Sequence, residues 1–192
     1  MFGDPPDVIP ADLNAEEYLE LGNWYHSSTH EEKIENAREC WNKVIELTTE
    51  ENLTQEAQSK IDEHIPCKKI PKSAIDTYYV ASSEAATDPG ACKKQYLRLV
   101  EEYPDFEWPL QGLAEIYIRN FGDLKEARVC IEKALEINPQ HSRSLLTMLE
   151  LTMVEMDYKK SEEYLAILRE THPANENLDR FRRTLETLIA YD

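Results

Sequence analysis

Two histidines stand four residues apart in this sequence, a spacing at which both imidazoles could share one helical face and bind a metal ion. They are His26 and His30. A zinc-protease helix has a glutamate directly after its first histidine, where it acts as general base. Here Ser27 holds that place. No third and fourth ligand can be named, so we expect no metal site and keep a metal-dependent hydrolase only as an alternative.

The four cysteines have no paired spacing. They are Cys40, Cys67, Cys92 and Cys130, separated by 27, 25 and 38 residues. This pattern predicts reduced thiols and a cytoplasmic protein rather than a disulfide framework or a zinc site. Phosphate-binding P-loop, GxGxxG, GxSxG and Cys–His signatures are absent from the sequence. We therefore expect no catalytic residues, no cofactor and no enzymatic activity.

The composition is strongly acidic. Among 192 residues, 38 Asp and Glu stand against 21 Lys and Arg, which gives a formal net charge of −17. This charge repels a phosphate backbone and so predicts no nucleic-acid partner, whereas it favours a protein partner with a basic or mixed-charge segment. No apolar stretch approaches the roughly 18 residues needed to cross a bilayer, and the first residues lack the pattern of a secretory signal.

Two kinds of residue that mark helix ends and helix starts recur along the chain with the same period. Prolines end helix-sized segments, and aspartates stand where the second helix of each segment should begin. The prolines are Pro104, Pro139 and Pro173, and the aspartates are Asp88, Asp123 and Asp157, each set with steps of 35 and 34 residues. An aspartate there can accept hydrogen bonds from the free N–H groups of a first helical turn. The period therefore predicts repeated pairs of helices.

The segment LQGLAEIYIRNFGDLKEARVCIEKALEINP carries the clearest pattern. It opens with L-x2-L-A-x2-Y, turns at Gly122 and Asp123, and places Ala127 and Ala134 on its second helix. In these features it resembles a tetratricopeptide repeat, although it has one extra residue before Gly122. The resemblance implies an all-α fold: a right-handed α-solenoid of about three to four helical hairpins, with an extra helix and a C-terminal capping helix.

The same marks predict the organisation of the chain. We expect an acidic, Pro-rich tail over 1–14 without ordered structure, followed by one helical domain over 15–192. Within that domain we predict a divergent repeat, an extra helix with a linker, three further repeats and the capping helix, over 15–48, 49–72, 73–106, 107–141, 142–175 and 176–192.

The resemblance also implies a concave groove, lined by the first helix of each unit. The residues predicted to line it are Asn23, Trp108, Gln111, Glu115, Arg119, Arg143, Leu146, Glu150 and Met153. Apolar side chains mixed with charges suit a helix or an extended peptide, because the apolar groups anchor it and the charges set its register. Each residue alone has an ordinary alternative: Trp108 could serve the core, and Arg143 could be a solvated charge.

Co-chaperones of this superfamily clamp a C-terminal carboxylate with Lys, Asn and Arg at inner-helix positions. Here the corresponding positions carry Gln111, Glu115, Leu146 and Glu150, and only Asn23 and Arg143 are of suitable type. We expect no such clamp. The sequence therefore predicts a non-catalytic adaptor or assembly chaperone that binds a peptide or helix of a partner protein in its groove. A self-associating structural subunit remains the alternative, and the oligomeric state stays open.

Overall fold

The computed structural model of the protein describes residues 5–27, 33–173, 175 and 177–191. These residues are entirely helical apart from turns and connections, and no strand occurs among them. Ten α-helices and one π-helical turn follow in the order α1 Ala15–Ser27, α2 Lys33–Leu47, α3 Glu51–His64, α4 Lys72–Glu84, α5 Pro89–Glu102, α6 Glu107–Ile116, the π-helical turn Tyr117–Phe121, α7 Leu124–Ile137, α8 Ser142–Val154, α9 Tyr158–Thr171 and α10 Leu178–Tyr191. Not one of the helices in these ranges has the length and apolarity that crossing a bilayer requires.

The chain divides into two compact units, Met1–Ile65 and Pro66–Asp192. The sequence predicted one helical domain over 15–192, in which the extra helix stands apart from the first repeat. In the structure that helix, α3, packs with α1 and α2.

The first unit packs α1, α2 and α3 around a buried tryptophan. The Trp41 side chain is fully buried. A Cβ at Gly22 would lie 2.5 Å from Trp41 Nε1, so α1 and α2 approach closely only because this position lacks a side chain. At the start of α1, Asn14 accepts from the N–H of Glu17 while Glu17 accepts from the N–H of Asn14. This reciprocal pair fixes where the helix begins.

The N-terminal segment departs from the sequence prediction within its described part. Residues 1–14 were expected to be disordered, but 5–14 lie against the first unit, where Ile9 and Leu13 pack on its core. The remaining part of that prediction lies outside the described residues. The apolar side chains in this acidic stretch bury surface, and its carbonyls find donors on α1 and α2, which gives the segment a fixed position.

The second unit contains the predicted hairpins as α4 with α5, α6 with α7, and α8 with α9, followed by α10. The three periodic aspartates cap the second helix of each hairpin. Asp88 accepts from Ala91 N at 2.8 Å, Asp123 from Glu126 N at 3.2 Å and Asp157 from Lys160 N at 3.2 Å. One side-chain oxygen in each hairpin thus satisfies an N–H group that the helix itself leaves open.

An aromatic cluster forms the core between α4, α5 and α6. The rings of Tyr78 and Tyr96 are stacked with centroids 5.3 Å apart, and Phe106 and Trp108 approach Tyr78 to 5.8 and 5.4 Å. Offset and edge contacts at these distances favour aromatic packing. The Tyr96 ring lies against Gly112 of α6, where a Cβ would come within 2.4 Å of its Cε2 atom.

Gly112→Ala should therefore destabilise the second unit. Tyr96 is 2% exposed and stacked on Tyr78, so the ring has no free space into which it can move. Overpacking of this kind costs about 1–3 kcal/mol, of which the better helix propensity of alanine offsets up to about 1 kcal/mol. Urea unfolding should show a lower midpoint. Gly90→Ala is the matched control, since its nearest neighbour would be 3.4 Å away, and it should leave the midpoint unchanged or raise it.

A buried carboxylate ties the linker after the first unit to the second. Glu107 is fully buried at the start of α6, and its Oε1 accepts from the backbone N–H of Cys67 at 2.8 Å and from Asn138 Nδ2 at 3.2 Å. Two donors on one buried carboxylate oxygen compensate part of its lost hydration. The residues after Ile65 therefore take a defined path along the second unit.

Candidate functional site

A cleft of about 780 Å³ opens at the C-terminal end of the second unit. Its walls come from the π-helical turn, α8, the turn into α9, and α10. The lining residues are Arg119, Glu150, Met153, Val154, Met156, Tyr158, Arg180, Phe181, Thr184 and Leu188. The volume lies within the range of sites that bind small molecules or groups of side chains.

The cleft combines an apolar interior with apolar residues that face water. Met153 is 8% exposed and belongs to the core, whereas Val154 is 48% and Met156 is 68% exposed. Val154 and Met156 both line the cleft, and exposed apolar side chains that extend an apolar concavity are a feature of interaction surfaces. Methionine is well suited to this role because its unbranched side chain adapts to irregular partners.

A bidentate ion pair spans one wall of the cleft. Arg119 Nε and Nη2 donate to the two carboxylate oxygens of Glu150 at 3.1 and 2.6 Å. The Arg119 side chain is 54% exposed and that of Glu150 is 23% exposed. Donation to Glu150 raises the pKa of the Arg119 guanidinium above its usual value. This planar geometry fixes both side chains and leaves a charge of each sign at the surface of the cleft.

The π-helical turn that carries Arg119 accounts for the extra residue that the sequence has before Gly122. In the hairpin of α8 and α9, the N–H of Asp157 donates to the carbonyl of Thr152, five residues earlier. At the equivalent turn after α6, the N–H of Asp123 donates to the carbonyl of Tyr117, six residues earlier. Single-turn π-helices accommodate one inserted residue and often occur at functional sites.

Met156 holds a backbone conformation that disfavours its side chain. Its φ is 61°, close to the 65° of Gly122 at the equivalent turn of the preceding hairpin. Glycine adopts this left-handed region without strain, whereas other residues lose roughly 1–2 kcal/mol there. Residues held in such conformations often occur at functional sites, and Met156 lines the cleft.

Met156→Gly should accordingly stabilise the protein by about 1 kcal/mol. Gly122→Ala, the reciprocal change, should destabilise it by about the same amount. A Cβ at Gly122 would meet no atom within 4 Å, so that cost comes from the backbone alone. Thermal unfolding of both variants tests the sign, and two shifts in the same direction would contradict the argument.

Three of the predicted groove residues line this cleft: Arg119, Glu150 and Met153. The structure brings them together because the π-helical turn and the end of α8 lie side by side. The remaining six predicted residues lie elsewhere.

Trp108 and Gln111 are buried, which corrects their assignment to an open groove. Trp108 is 3% exposed and its ring lies 5.5 Å from that of Phe106. Gln111 has no exposed surface, and its Nε2 donates to Thr147 Oγ1 on α8 at 3.0 Å. Both residues fall on the helix face opposite the apolar stripe, but α4 and α8 cover that face as well.

The other four predicted residues are exposed or half-buried and lie outside the cleft. Arg143 is exposed, and its Nη1 donates to the Tyr78 hydroxyl at 3.4 Å. Leu146 is half-buried and packs against the core of α8, α9 and α10. Glu115 is half-buried on α6, and Asn23 is half-buried on α1 in the first unit. None of these four lines the cleft.

The sequence predicted α10 as a cap, but it did not identify its contribution to a binding surface. Phe181 and Leu188 pack against the core and at the same time line the cleft, together with Arg180 and Thr184. The amphipathic pattern of α10 shows which face is apolar. It does not show that this face only partly covers α8, so this wall could not be predicted.

For the histidine pair, His30 lies outside the described residues. The His26 ring lies near that of His64, with centroids 4.6 Å apart and the two planes tilted by 34°. Within the part of the chain that the structure describes, no group of three or more His, Cys, Asp or Glu side chains could hold a metal ion. All four cysteines are free thiols, and three of them are buried.

Comparison with known proteins adds two similarities. No family model matches the chain. A segment of 137 residues, 66% of the chain, is 27% identical to tetratricopeptide repeat protein 37 of Xenopus laevis, of which it covers only 9%. Among solved structures, the TPR2AB-domain:pHSP90 complex of yeast Sti1 matches with a TM-score of 0.51 and 17% identity over 91% of this chain and 67% of that one. The chain therefore has the fold of the tetratricopeptide-repeat superfamily, as its repeat period and turn residues indicate.

Proposed function

We propose that the protein is a non-catalytic adaptor or assembly chaperone that binds a segment of a partner protein in the cleft between the π-helical turn, α8 and α10. The observation that supports this most directly is the pair Val154 and Met156, which are exposed beside an apolar cleft of about 780 Å³. Burial of such side chains by a partner stabilises a complex by roughly 25 cal/mol per Å² of apolar surface, before the costs of association.

The charges at the cleft indicate a segment of mixed charge. The protein as a whole has a net charge of −17, which favours encounter with basic segments. The cleft itself, however, contains Arg119 and Arg180 together with Glu150. A partner segment with apolar anchors and flanking charges of both signs fits this surface, because each charge then meets a counter-charge and fixes the register.

The two relatives give limited further support. The yeast structure contains a tetratricopeptide-repeat domain in complex with pHSP90, which is an example of protein binding by this fold. That partner is not proposed for this chain, since three of the positions that correspond to a carboxylate clamp carry Glu115, Leu146 and Glu150, which are neither basic nor amide side chains. The free cysteines support our proposal of a cytoplasmic location.

A photo-crosslinking residue introduced at Met156 of the full chain tests this function in cells. We expect it to attach one partner protein reproducibly, because the side chain points from the rim of the cleft into solvent. The same residue at Leu97, which is 45% exposed on α5 and outside the cleft, is the control. Mass spectrometry of the attached products identifies the partner.

Three results distinguish the proposal from its alternatives. A partner attached at Met156 and not at Leu97 supports it. Equal attachment at both positions contradicts a specific site in the cleft. Attachment of a second copy of this chain would instead identify the protein as a self-associating structural subunit, with the cleft as the interface between copies.

A further inference from the structure

The N-terminal segment lies on the first unit in the manner of a bound peptide. Its backbone carbonyls accept hydrogen bonds from side chains of the helices. Tyr25 Oη donates to the carbonyl of Pro6 at 2.8 Å, and Tyr18 Oη donates to the carbonyl of Pro10 at 2.9 Å. Two tyrosines, seven residues apart on α1, thus hold two carbonyls four residues apart on an extended segment.

A buried lysine completes this surface. Lys33, at the start of α2, is 7% exposed. Its Nζ donates to the carbonyl of Pro6 at 3.1 Å and to Oδ1 of Asp7 at 3.0 Å, and it lies 5.5 Å from the centre of the Tyr25 ring. A lysine is rarely buried to this degree unless its charge is compensated. Here the N-terminal segment supplies the compensating oxygens.

The chemistry of the segment matches the chemistry of extended-peptide recognition. Pro5, Pro6 and Pro10 have no backbone N–H to satisfy, and their fixed φ reduces the entropy lost on ordering. The helices hold the segment through its backbone carbonyls and through the side chain of Asp7, while Ile9 and Leu13 add apolar contacts with the core. Domains that bind proline-rich segments use this combination of aromatic side chains and donors to carbonyls.

We propose that Tyr18, Tyr25 and Lys33 form a binding site for an extended, proline-rich segment with an acidic side chain from a partner protein, and that residues 5–10 occupy this site as an intramolecular competitor. The site is independent of the cleft in the second unit. This proposal can therefore be tested independently of the function proposed above.

The bound segment is held in a way that permits exchange. The Asp7 side chain is 99% exposed, so solvent weakens its ion pair with Lys33 and the pair can open when the segment exchanges. The N-terminal segment is covalently joined to α1, and this connection gives the segment a high effective concentration at the site. A partner segment of the same chemistry must overcome this advantage, and weakening the internal segment should raise the apparent affinity for the partner.

Three full-length chains test the proposal by fluorescence anisotropy with a labelled peptide of the sequence DPPDVIPADLN. The first is the unmodified protein. The second carries Asp7→Lys and Ile9→Asp, which weaken the internal segment and leave the site intact. The third adds Lys33→Met, which removes the charge of the site and retains an apolar side chain of similar length. Circular dichroism verifies that all three remain helical.

We expect the second chain to bind the peptide at least tenfold more tightly than the unmodified protein, and the third to lose at least tenfold again. A peptide with lysine at its Asp7 position should bind the second chain at least fivefold more weakly. Equal affinity for the first two chains, or no effect of Lys33→Met, would overturn the proposal. A concentration-dependent dimer of the unmodified protein that Lys33→Met abolishes would also overturn it, because the occupant would then be the segment of a second copy.

Discussion

Replacing Met156 and Arg180 together by glutamate should reduce binding of the partner at the cleft by at least about 30-fold, while the helical content stays unchanged. Met156 is 68% exposed and Arg180 is exposed on α10, so neither substitution disturbs the core. The change replaces an apolar contact by a carboxylate and reverses a charge that faces the partner. Loss of one central anchor commonly costs 2 kcal/mol or more, which corresponds to about 30-fold in affinity.

A double change outside the cleft provides the matched control. Leu97→Glu with Arg98→Glu on α5 replaces an exposed apolar residue and an exposed arginine, so it alters the net charge by the same amount. Both variants should be compared for recovery of the partner identified by crosslinking at Met156. If both lose it equally, the general charge of the protein matters rather than the cleft. If neither loses it, the cleft is not the binding site.

Acidification should destabilise the second unit through His141. This residue is 1% exposed at the start of α8, and its Nδ1 lies 2.7 Å from Ser144 Oγ. Burial, together with the charges of Arg143 and His172, lowers the pKa of His141 to about 3. An exposed histidine in the unfolded chain has a pKa near 6.5.

The sign of the effect follows from proton uptake. Between these two pKa values the unfolded chain binds the proton and the folded chain does not. The contribution of neutral His141 to the free energy of unfolding is therefore fully present above pH 6.5 and falls as the pH drops toward 3. At pH 4.5 the loss should reach roughly 2–3 kcal/mol. Urea unfolding at pH 7 and pH 4.5 measures it directly.

His141→Asn separates this contribution from that of the many carboxylates. Asparagine is neutral at both pH values and is a favourable residue at a helix start. Between pH 7 and pH 4.5, the free energy of unfolding should therefore fall by about 2–3 kcal/mol less in the variant than in the unmodified protein. An identical loss in both chains would show that the folded protein accepts the proton on His141, contrary to its burial.

The helices of the second unit and the places where each hairpin turns can be predicted from local sequence. Asp88, Asp123 and Asp157 act locally, because each caps the helix that begins at the next residue. Gly122 likewise acts within its own turn, where it supplies the left-handed backbone. Such signals can be predicted because they depend on residues within one or two helical turns.

Which surfaces remain open depends on how the helices pack. Trp108, Gln111 and Arg119 share one face of the chain segment that begins at Glu107, yet two of them are buried and the third lines the cleft. Periodicity places residues on a face of a helix, but contacts with α4, α8 and α10 determine whether that face meets protein or water. The docking of residues 5–14 was equally beyond prediction, because it depends on donors from Tyr18, Tyr25 and Lys33 that folding brings to distant carbonyls.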